Sequence, residues 1–241
     1  MFDDWADLDV ATFRYKFFVS VIADERWQLY LAGLGNTIIL ALVACLMGSF
    51  VGTFVAFVRY IDYTNKQANT PSIIFTILGK LCNVYTTSIR GTPLMIQLLI
   101  LYTVAFKGGF EACIFGFGIN SGAYISEIIR AGLMSIPKGQ SEAGCSLGMT
   151  RWQTLRIIIL PQAVKNILPA LFNEFISLLK ETSIAGYIAV RDLTKAADGI
   201  KGRTFQSMPL FITAFIYLAL VMGLTRVQER MERTLAKDVR H

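Results

Sequence analysis

Residues 140–161 read QSEAGCSLGMTRWQTLRIIILP, a polar stretch that interrupts an otherwise very apolar chain. It follows a helix-breaking residue, Pro137. Ser141 is a favourable N-cap residue, and Glu142 would then lie in the first helical turn, where the helix dipole favours an anion. The pattern predicts a short helix over residues 140–150.

The small residues of this stretch recur at helical spacing. Ala143 and Leu147 are four residues apart and share one face, as do Gly144 and Gly148. Each glycine costs a helix roughly 1 kcal/mol relative to alanine, so two of them in a short helix need a reason. A flat docking strip for another protein is one explanation. A tightly packed turn inside the chain is the other.

The composition is that of an integral membrane protein. The 241 residues are 54% hydrophobic and 17% charged, whereas soluble domains are about 45–50% apolar and about 25% charged. The net charge of +6 describes loops and tails, because no basic run with interleaved aromatic residues indicates nucleic-acid binding. No basic segment followed by a short apolar run and a cleavage site is present, so we expect no removable signal peptide.

Histidine and cysteine usage argues against catalysis and metal binding. His241 is the only histidine, and the four cysteines are far apart without metal-ligand spacing. We therefore expect no metal site, and we expect the cysteines to be small apolar fillers. They are Cys45, Cys82, Cys113 and Cys145.

Five apolar segments are long enough to cross a bilayer as helices. They are residues 29–58, 72–106, 110–136, 153–187 and 208–225. We expect Pro93 to bend the second, and Pro161 and Pro169 to interrupt the fourth. Residues 59–70 are predicted to form a polar loop and residues 191–203 a charged loop.

Two residue pairs and the N-terminal segment give further predictions about helix packing, ion pairing and membrane contact. Gly48 and Gly52 predict close helix packing, most simply within the chain. Glu127 and Arg130 are three residues apart and predict a structural ion pair. Residues 1–28 predict an amphipathic lead-in at the membrane surface, with a loosely ordered tail as the alternative.

The order and spacing of Glu142-Ala143-Gly144, Gly148, Ile158 and Leu160-Pro161 resemble the EAA motif of ABC-importer permease subunits. Gly144 is the one departure, since the family has alanine there. Further stretches resemble the same family, and together they cover about residues 29–230 and point to its polar-amino-acid branch (histidine, glutamate, glutamine, arginine, opines). These stretches are Arg90-Gly91-Thr92-Pro93-Leu94, Gln97-Leu98, residues 123–130, Pro161-Gln162-Ala163, Leu168-Pro169, Asn173-Glu174 and residues 180–183.

The resemblance implies an all-α polytopic membrane protein with the five-helix type I ABC-importer permease (MetI-like) fold. It implies a bacterial inner-membrane location and a transmembrane permease domain over residues 29–225, with a cytoplasmic coupling helix at 139–152. The acidic N-terminus would lie outside, and the basic tail, residues 226–241, in the cytoplasm. The positive-inside rule favours the same orientation, although the cations of residues 191–203 would then be outside.

The resemblance also implies a set of partners. These are a second permease subunit, identical or different, two ATP-binding-cassette ATPase subunits, an extracytoplasmic solute-binding protein, an amino-acid substrate and membrane lipids. The chain lacks the phosphate-binding Gly-x-x-x-x-Gly-Lys-Ser/Thr loop. We therefore expect no enzymatic activity and no cofactor on this chain, with ATP and magnesium bound by the ATPase. The residues expected to couple to that subunit are Ser141, Glu142, Ala143, Gly144, Gly148 and Arg151.

Polar residues within the spans are candidates for substrate binding, because a charge inside the membrane is costly and indicates function. Glu174 would pair with the ammonium group or a cationic side chain of an amino acid; a Glu174–lysine pair joining two helices is the alternative. Ser177 and Lys180 lie further along the same helix, and Gln97 and Asn120 could add neutral hydrogen bonds. Glu174 favours arginine, lysine or histidine, although Lys180 weakens that preference.

Two other classes of protein are alternatives to an importer permease. A stand-alone ion-coupled transporter usually has paired halves, and the five spans contain no evident inverted repeat. An intramembrane enzyme would need an acid–base set that a single terminal histidine does not supply.

Overall fold

The computed structural model describes residues 10–67, 70 and 72–237, and all its regular elements in these ranges are helical, which confirms the all-α class. The α-helices are α1 (Val10–Phe17), α2 (Trp27–Gln67), α3 (Ile73–Gly91), α4 (Leu94–Ile100), α5 (Gly109–Met134), α6 (Lys138–Ser146), α7 (Arg151–Thr154), α8 (Leu160–Glu181), α9 (Leu193–Thr204) and α10 (Met208–Lys237).

Four helical runs are each long and apolar enough to cross a membrane. They are Trp27–Gln67, Gly109–Met134, Arg151–Ile188 and Met208–Leu235. The pair α3 and α4 passes the same test together and gives the fifth span. The five predicted spans therefore correspond to four continuous runs and one bent pair.

Helix α2 packs closely against the centre of α5. A Cβ atom on Gly48 would lie 3.0 Å from the Cβ of Ser121, and one on Gly52 would lie 2.7 Å from Cγ2 of Ile125. Small residues at such contacts let two helix backbones approach, which strengthens dispersion contacts inside a membrane. The prediction that these glycines pack within the chain is confirmed.

The polar segment after the first span is helical, which corrects the predicted loop at 59–70. Helix α2 continues to Gln67. Asp62 and Lys66 form an ion pair of 2.6 Å one turn apart, and Thr76 Oγ1 donates to Asp62 Oδ1 at 3.1 Å. These contacts satisfy the polar side chains locally, so the helix does not need to end where the apolar run ends.

Pro93 produces the predicted bend, because α3 and α4 meet at 105°. The side-chain amide of Gln97, in α4, stabilises the bend by hydrogen bonds to the end of α3. Its Nε2 donates to the carbonyl oxygen of Ile89 at 2.7 Å and to Oγ1 of Thr92 at 2.8 Å. A side chain thus replaces backbone hydrogen bonds that the bend removes.

The fourth span is continuous, so the predicted interruptions at Pro161 and Pro169 are wrong. Pro161 is the second residue of α8, so the N–H that it lacks falls at the junction between two kinds of helix. A wider π-helical segment, Leu155–Ile159, precedes it. Pro169 lies inside α8 without ending it.

Residues 191–203 do not form the predicted charged loop, because most of them belong to α9. Asp192 caps this helix by accepting hydrogen bonds from the backbone N–H groups of Thr194 at 2.8 Å and Lys195 at 3.0 Å. Leu193, Ala197 and Ile200 recur at helical spacing and are buried against α2 and α10. Burial raises the pKa of the Asp192 carboxyl above its usual value, and these backbone bonds oppose the rise.

The two ends of α2 lie at opposite ends of the bundle. Near its start, Asn36 Nδ2 donates to the carbonyl oxygen of Arg191, beside α9, at 2.9 Å. Near its other end, the ring of Phe57 contacts that of Trp152 in α7, with centroids 6.2 Å apart. Helix α9 and the stretch around α6 and α7 therefore lie on opposite faces of the protein.

The predicted division into residues 1–28, 29–225 and 226–241 stays a prediction. The acidic residues of the first nine positions and the last four residues, with His241, lie outside the described ranges. Helix α1 exposes Phe13 and Phe17, and α10 continues past the last apolar span to Lys237.

We predict that Asp192→Ala lowers the stability of the protein, because it removes the N-cap of α9 and leaves two backbone N–H groups unpaired. Loss of such a cap costs about 1 kcal/mol. Thermal unfolding of the purified protein in detergent would measure the decrease. Asp198→Ala is the control, because Asp198 is exposed on the same helix. Equal melting temperatures for the two variants would contradict the capping role.

Candidate functional site

The stretch that resembles the EAA motif forms two short helices joined by a turn. Helix α6 begins at Lys138, after Pro137, so Ser141 lies inside the helix and is not its N-cap. The helix ends at Ser146, earlier than the predicted 140–150. Pro137 takes the N-cap position because its fixed φ suits a helix entry and its missing N–H costs nothing there. We call residues Lys138–Thr154 the coupling segment.

Gly144 faces the interior of the protein, which corrects the expectation of an open glycine strip. It is buried, and a Cβ atom there would lie 2.7 Å from Cγ2 of Thr154 and 3.2 Å from Cδ1 of Ile158. Gly148 follows the helix end and adopts a φ of 77°, a left-handed conformation that favours glycine. The two glycines therefore shape the turn from α6 to α7, as the alternative interpretation proposed.

The outer face of the coupling segment is presented by other residues. Glu142, Ala143, Gly148 and Arg151 are exposed, whereas Ser141 is half-buried. Leu147 is 79% exposed, a large value for an apolar side chain at the tip of a turn. The arrangement leaves one acidic, one basic and one apolar group free to contact another protein.

A capping box fixes the start of α7. Thr150 Oγ1 accepts from the backbone N–H of Gln153 at 3.3 Å, and Gln153 Oε1 accepts from the backbone N–H of Thr150 at 2.8 Å. This reciprocal pair satisfies two helix-start donors. The turn at Gly148 is therefore held between two defined helix ends.

A second group of polar residues lies between the spans, with Asn120 and Ser121 buried and Gln97 and Glu174 half-buried. We call these four residues the polar centre. Asn120 Nδ2 donates to Gln97 Oε1 at 3.1 Å, which ties α5 to the α3–α4 break. Ser121 Oγ donates to Glu174 Oε1 at 3.1 Å, which ties α5 to α8. Three of the predicted substrate residues, Gln97, Asn120 and Glu174, thus lie around one turn of α5.

Arg90 and Tyr124 adjoin the polar centre, and sequence reasoning did not place them there. The guanidinium carbon of Arg90 lies 5.0 Å from the centroid of the Tyr124 ring. Tyr124 is one turn from Ser121 on α5, and the charge of Arg90 acts on Glu174. A cation at the end of α3 and a carboxylate of α8 therefore both adjoin the same turn of α5. The signal available in the sequence was an arginine directly before Gly91 and three residues before Pro93.

Lys180 lies apart from the polar centre. It lines a crevice of about 330 Å³ with Ser183, Thr194 and Tyr217, between α8, α9 and α10. Ser177 is half-buried, one turn from Glu174 on α8. The substrate roles of Ser177 and Lys180 stay predictions, and the geometry separates Lys180 from Glu174.

The predicted ion pair of α5 is confirmed and has a third member. Arg130 Nη2 lies 2.8 Å from Glu127 Oε2, and Arg59 of α2 contacts the other carboxylate oxygen of Glu127. One carboxylate thus joins two arginines from two spans. Arg59 lies toward the end of α2 that is near the coupling segment, since Phe57, two residues earlier, contacts Trp152.

The cysteines fit the predicted role only in part. Cys113 is buried, and Cys45 and Cys82 are half-buried, as expected for apolar fillers, whereas Cys145 is exposed on α6. In the part of the chain that the structure describes, no group of three histidine, cysteine, aspartate or glutamate side chains could hold a metal ion.

The family of the chain follows from its comparison with known proteins. Residues 74–237 match the family described as binding-protein-dependent transport system inner membrane component. The chain belongs to this family. It is a multi-pass inner-membrane permease, and the resemblance based on the EAA-like stretch is confirmed.

Individual relatives of this permease are similar over most of its length. It is 37% identical over 226 residues to an L-cystine transport system permease of Bacillus subtilis, covering 91% of this chain and 92% of the relative. It is 40% identical over 161 residues to an arginine transport system permease of the same organism, covering 64% and 74%.

A solved structure agrees with the fold. A crystal structure of an amino acid ABC transporter with histidines matches with a TM-score of 0.78 and 38% identity, over 86% of this chain and 94% of that chain. The type I permease fold predicted for this chain is therefore confirmed.

We predict that Gly144→Ala destabilises the coupling segment, because its new methyl group would overlap the side chain of Thr154. Overpacking of this kind typically costs about 1–3 kcal/mol. Thermal unfolding in detergent would measure the loss, and Gly144→Ala/Thr154→Ala should recover part of it. Gly139→Ala is the matched control, since no atom lies within 4 Å of the added Cβ. A Gly144→Ala protein as stable as the control would contradict the inward packing.

Proposed function

We propose that this permease forms the path of an ATP-driven importer for polar amino acids, with a preference for cationic ones. The observation that carries the proposal is a pair of opposite charges, the carboxylate of Glu174 within the polar centre and the guanidinium of Arg90 next to it. Arg90 is suited to an α-carboxylate, and Glu174 to an α-ammonium group or a cationic side chain. The named substrates of the relatives, L-cystine and arginine, and the histidines of the similar structure support an amino acid.

The charges around Glu174 support the cationic preference. The carboxylate of Glu181 and the guanidinium of Arg90 both act on it, while Lys180 acts on Glu181 and lines another crevice. If the α-carboxylate of the substrate binds Arg90, Glu174 and Glu181 are two anions that can bind its α-ammonium group and a cationic side chain. Asn120 donates a hydrogen bond to Gln97, and Gln97 donates to the carbonyl oxygen of Ile89, so their first role is to hold the bend between α3 and α4.

We further propose that the coupling segment docks against a separate ATPase subunit, which binds ATP and magnesium. Glu142 supplies the charged contact and Leu147 the apolar one, because both are exposed, Glu142 on α6 and Leu147 directly after its end. A second permease copy or homologue and an extracytoplasmic solute-binding protein complete the importer. The N-terminus is then outside and the C-terminus cytoplasmic, with α9 on the outer face.

We predict that Glu174→Gln lowers uptake of arginine by roughly tenfold to a hundredfold, because a hydrogen bond to a charged group contributes about 1.5–3 kcal/mol. The assay is ATP-dependent uptake by the complete transporter in liposomes, with competition by unlabelled amino acids. Glu111→Gln is the control, since Glu111 is exposed at the start of α5. The cationic preference is wrong if arginine and lysine compete no better than glutamate and glutamine with the wild-type transporter.

We predict that Glu142→Arg weakens retention of the ATPase subunit when the tagged permease is extracted gently from native membranes. The substitution reverses the charge of an exposed side chain on α6. Gly202→Arg introduces the same side chain on α9, at the opposite face, where the space around it is open. Loss of the ATPase from both variants, or from neither, would argue against docking at the coupling segment.

A further inference from the structure

A crevice of about 220 Å³ opens between α2, α3 and α5, where the apolar run of α2 gives way to charge. It lies on the same side of the bundle as the coupling segment, since Tyr60 lines both this crevice and the groove next to Ser141. Its polar lining is formed by Arg59, Lys66, Asn83 and Arg130, with Asp62 beside Lys66.

The crevice carries an excess of positive charge. Three cations, Arg59, Lys66 and Arg130, stand against two carboxylates, Asp62 and Glu127. Glu127 is shared by both arginines, whereas Asp62 pairs with Lys66 at 2.6 Å. An anion bound here would therefore balance the charge.

Both arginines have donors left over. Within the described residues, Arg59 donates a single hydrogen bond, to Glu127, although its side chain is only 15% exposed. Arg130 directs Nε and Nη2 to Glu127, and its Nη1 lies 3.0 Å from the sulfur of Met134, a weak acceptor. Guanidinium groups with spare N–H donors are well suited to phosphate oxygens.

The surroundings identify the source of the anion as lipid. Helix α3, which forms one wall, exposes the large apolar side chains of Ile73, Ile77 and Leu81. Such a surface is typical of contact with acyl chains. A basic pocket between spans at the membrane boundary is suited to an anionic head group.

We propose that this crevice binds the phosphate of an anionic phospholipid. The phosphate lies against Arg59 and Arg130, with Lys66 at the rim. The bound lipid joins the first three spans at the end nearest the coupling segment. This site is distinct from the polar centre, and the proposal holds whichever amino acid is transported.

The test is native mass spectrometry of the purified permease in mixed micelles with phosphatidylglycerol and phosphatidylcholine of the same acyl chains. We expect the wild type to retain phosphatidylglycerol preferentially. Lys66→Gln removes a rim charge and should lower that retention roughly fivefold. Asn83→Leu fills the crevice without changing its charge or breaking its ion pairs, and should lower retention by a similar factor.

The matched control is Lys107→Gln, which removes an exposed cation between the second and third spans. Its retention of phosphatidylglycerol should equal that of the wild type. Equal retention by all variants would overturn the site. Displacement of the lipid by the same concentration of soluble glycerol phosphate would overturn its assignment to a phospholipid. Thermal unfolding of each variant verifies that it is folded.

Discussion

The close approach of α2 and α5 is the contact on which the rest of the structure depends. It requires glycine at positions 48 and 52 of α2 and small residues, Ser121 and Gly122, on the facing turn of α5. Because α5 is held at this distance, the hydroxyl of Ser121 reaches Glu174 of α8, and Asn120 reaches Gln97. The polar centre is thus a consequence of helix packing, since its residues come from three separate helices, α4, α5 and α8.

Features with a local physical cause could be predicted from the sequence. Gly48 and Gly52 remove side chains from one face of a helix, and Pro93 removes a backbone donor. Glu127 and Arg130 are within reach of each other on any α-helix. In each case the cause lies within one or two helical turns, so no knowledge of the fold was needed.

Features that depend on a contact between distant segments were missed or assigned wrongly. Residues 191–203 contain six charged side chains and suggested a loop, but their apolar stripe is covered by α2 and α10, which makes a helix stable. Gly144 suggested an open strip because Thr154 and Ile158, which fill the space beside it, belong to the next helix. Arg90 meets Tyr124 across a gap of thirty-four positions, and spacing along the chain does not show which aromatic ring it meets.

The inward packing of Gly144 connects the two candidate sites mechanically. Thr154 and Ile158 contact α6 and belong to the same helical run as α8. Glu174 lies fourteen residues beyond Leu160, or about 21 Å along a helix. Neither proline breaks this run, so we propose that it acts as a single rod that would carry a displacement of α6 to the carboxylate that Ser121 contacts. The π-helical segment Leu155–Ile159 is the place where that rod can bend. Gly144 therefore brings α6 against the rod, while Glu142, Leu147 and Arg151 stay exposed on the outer side of the segment.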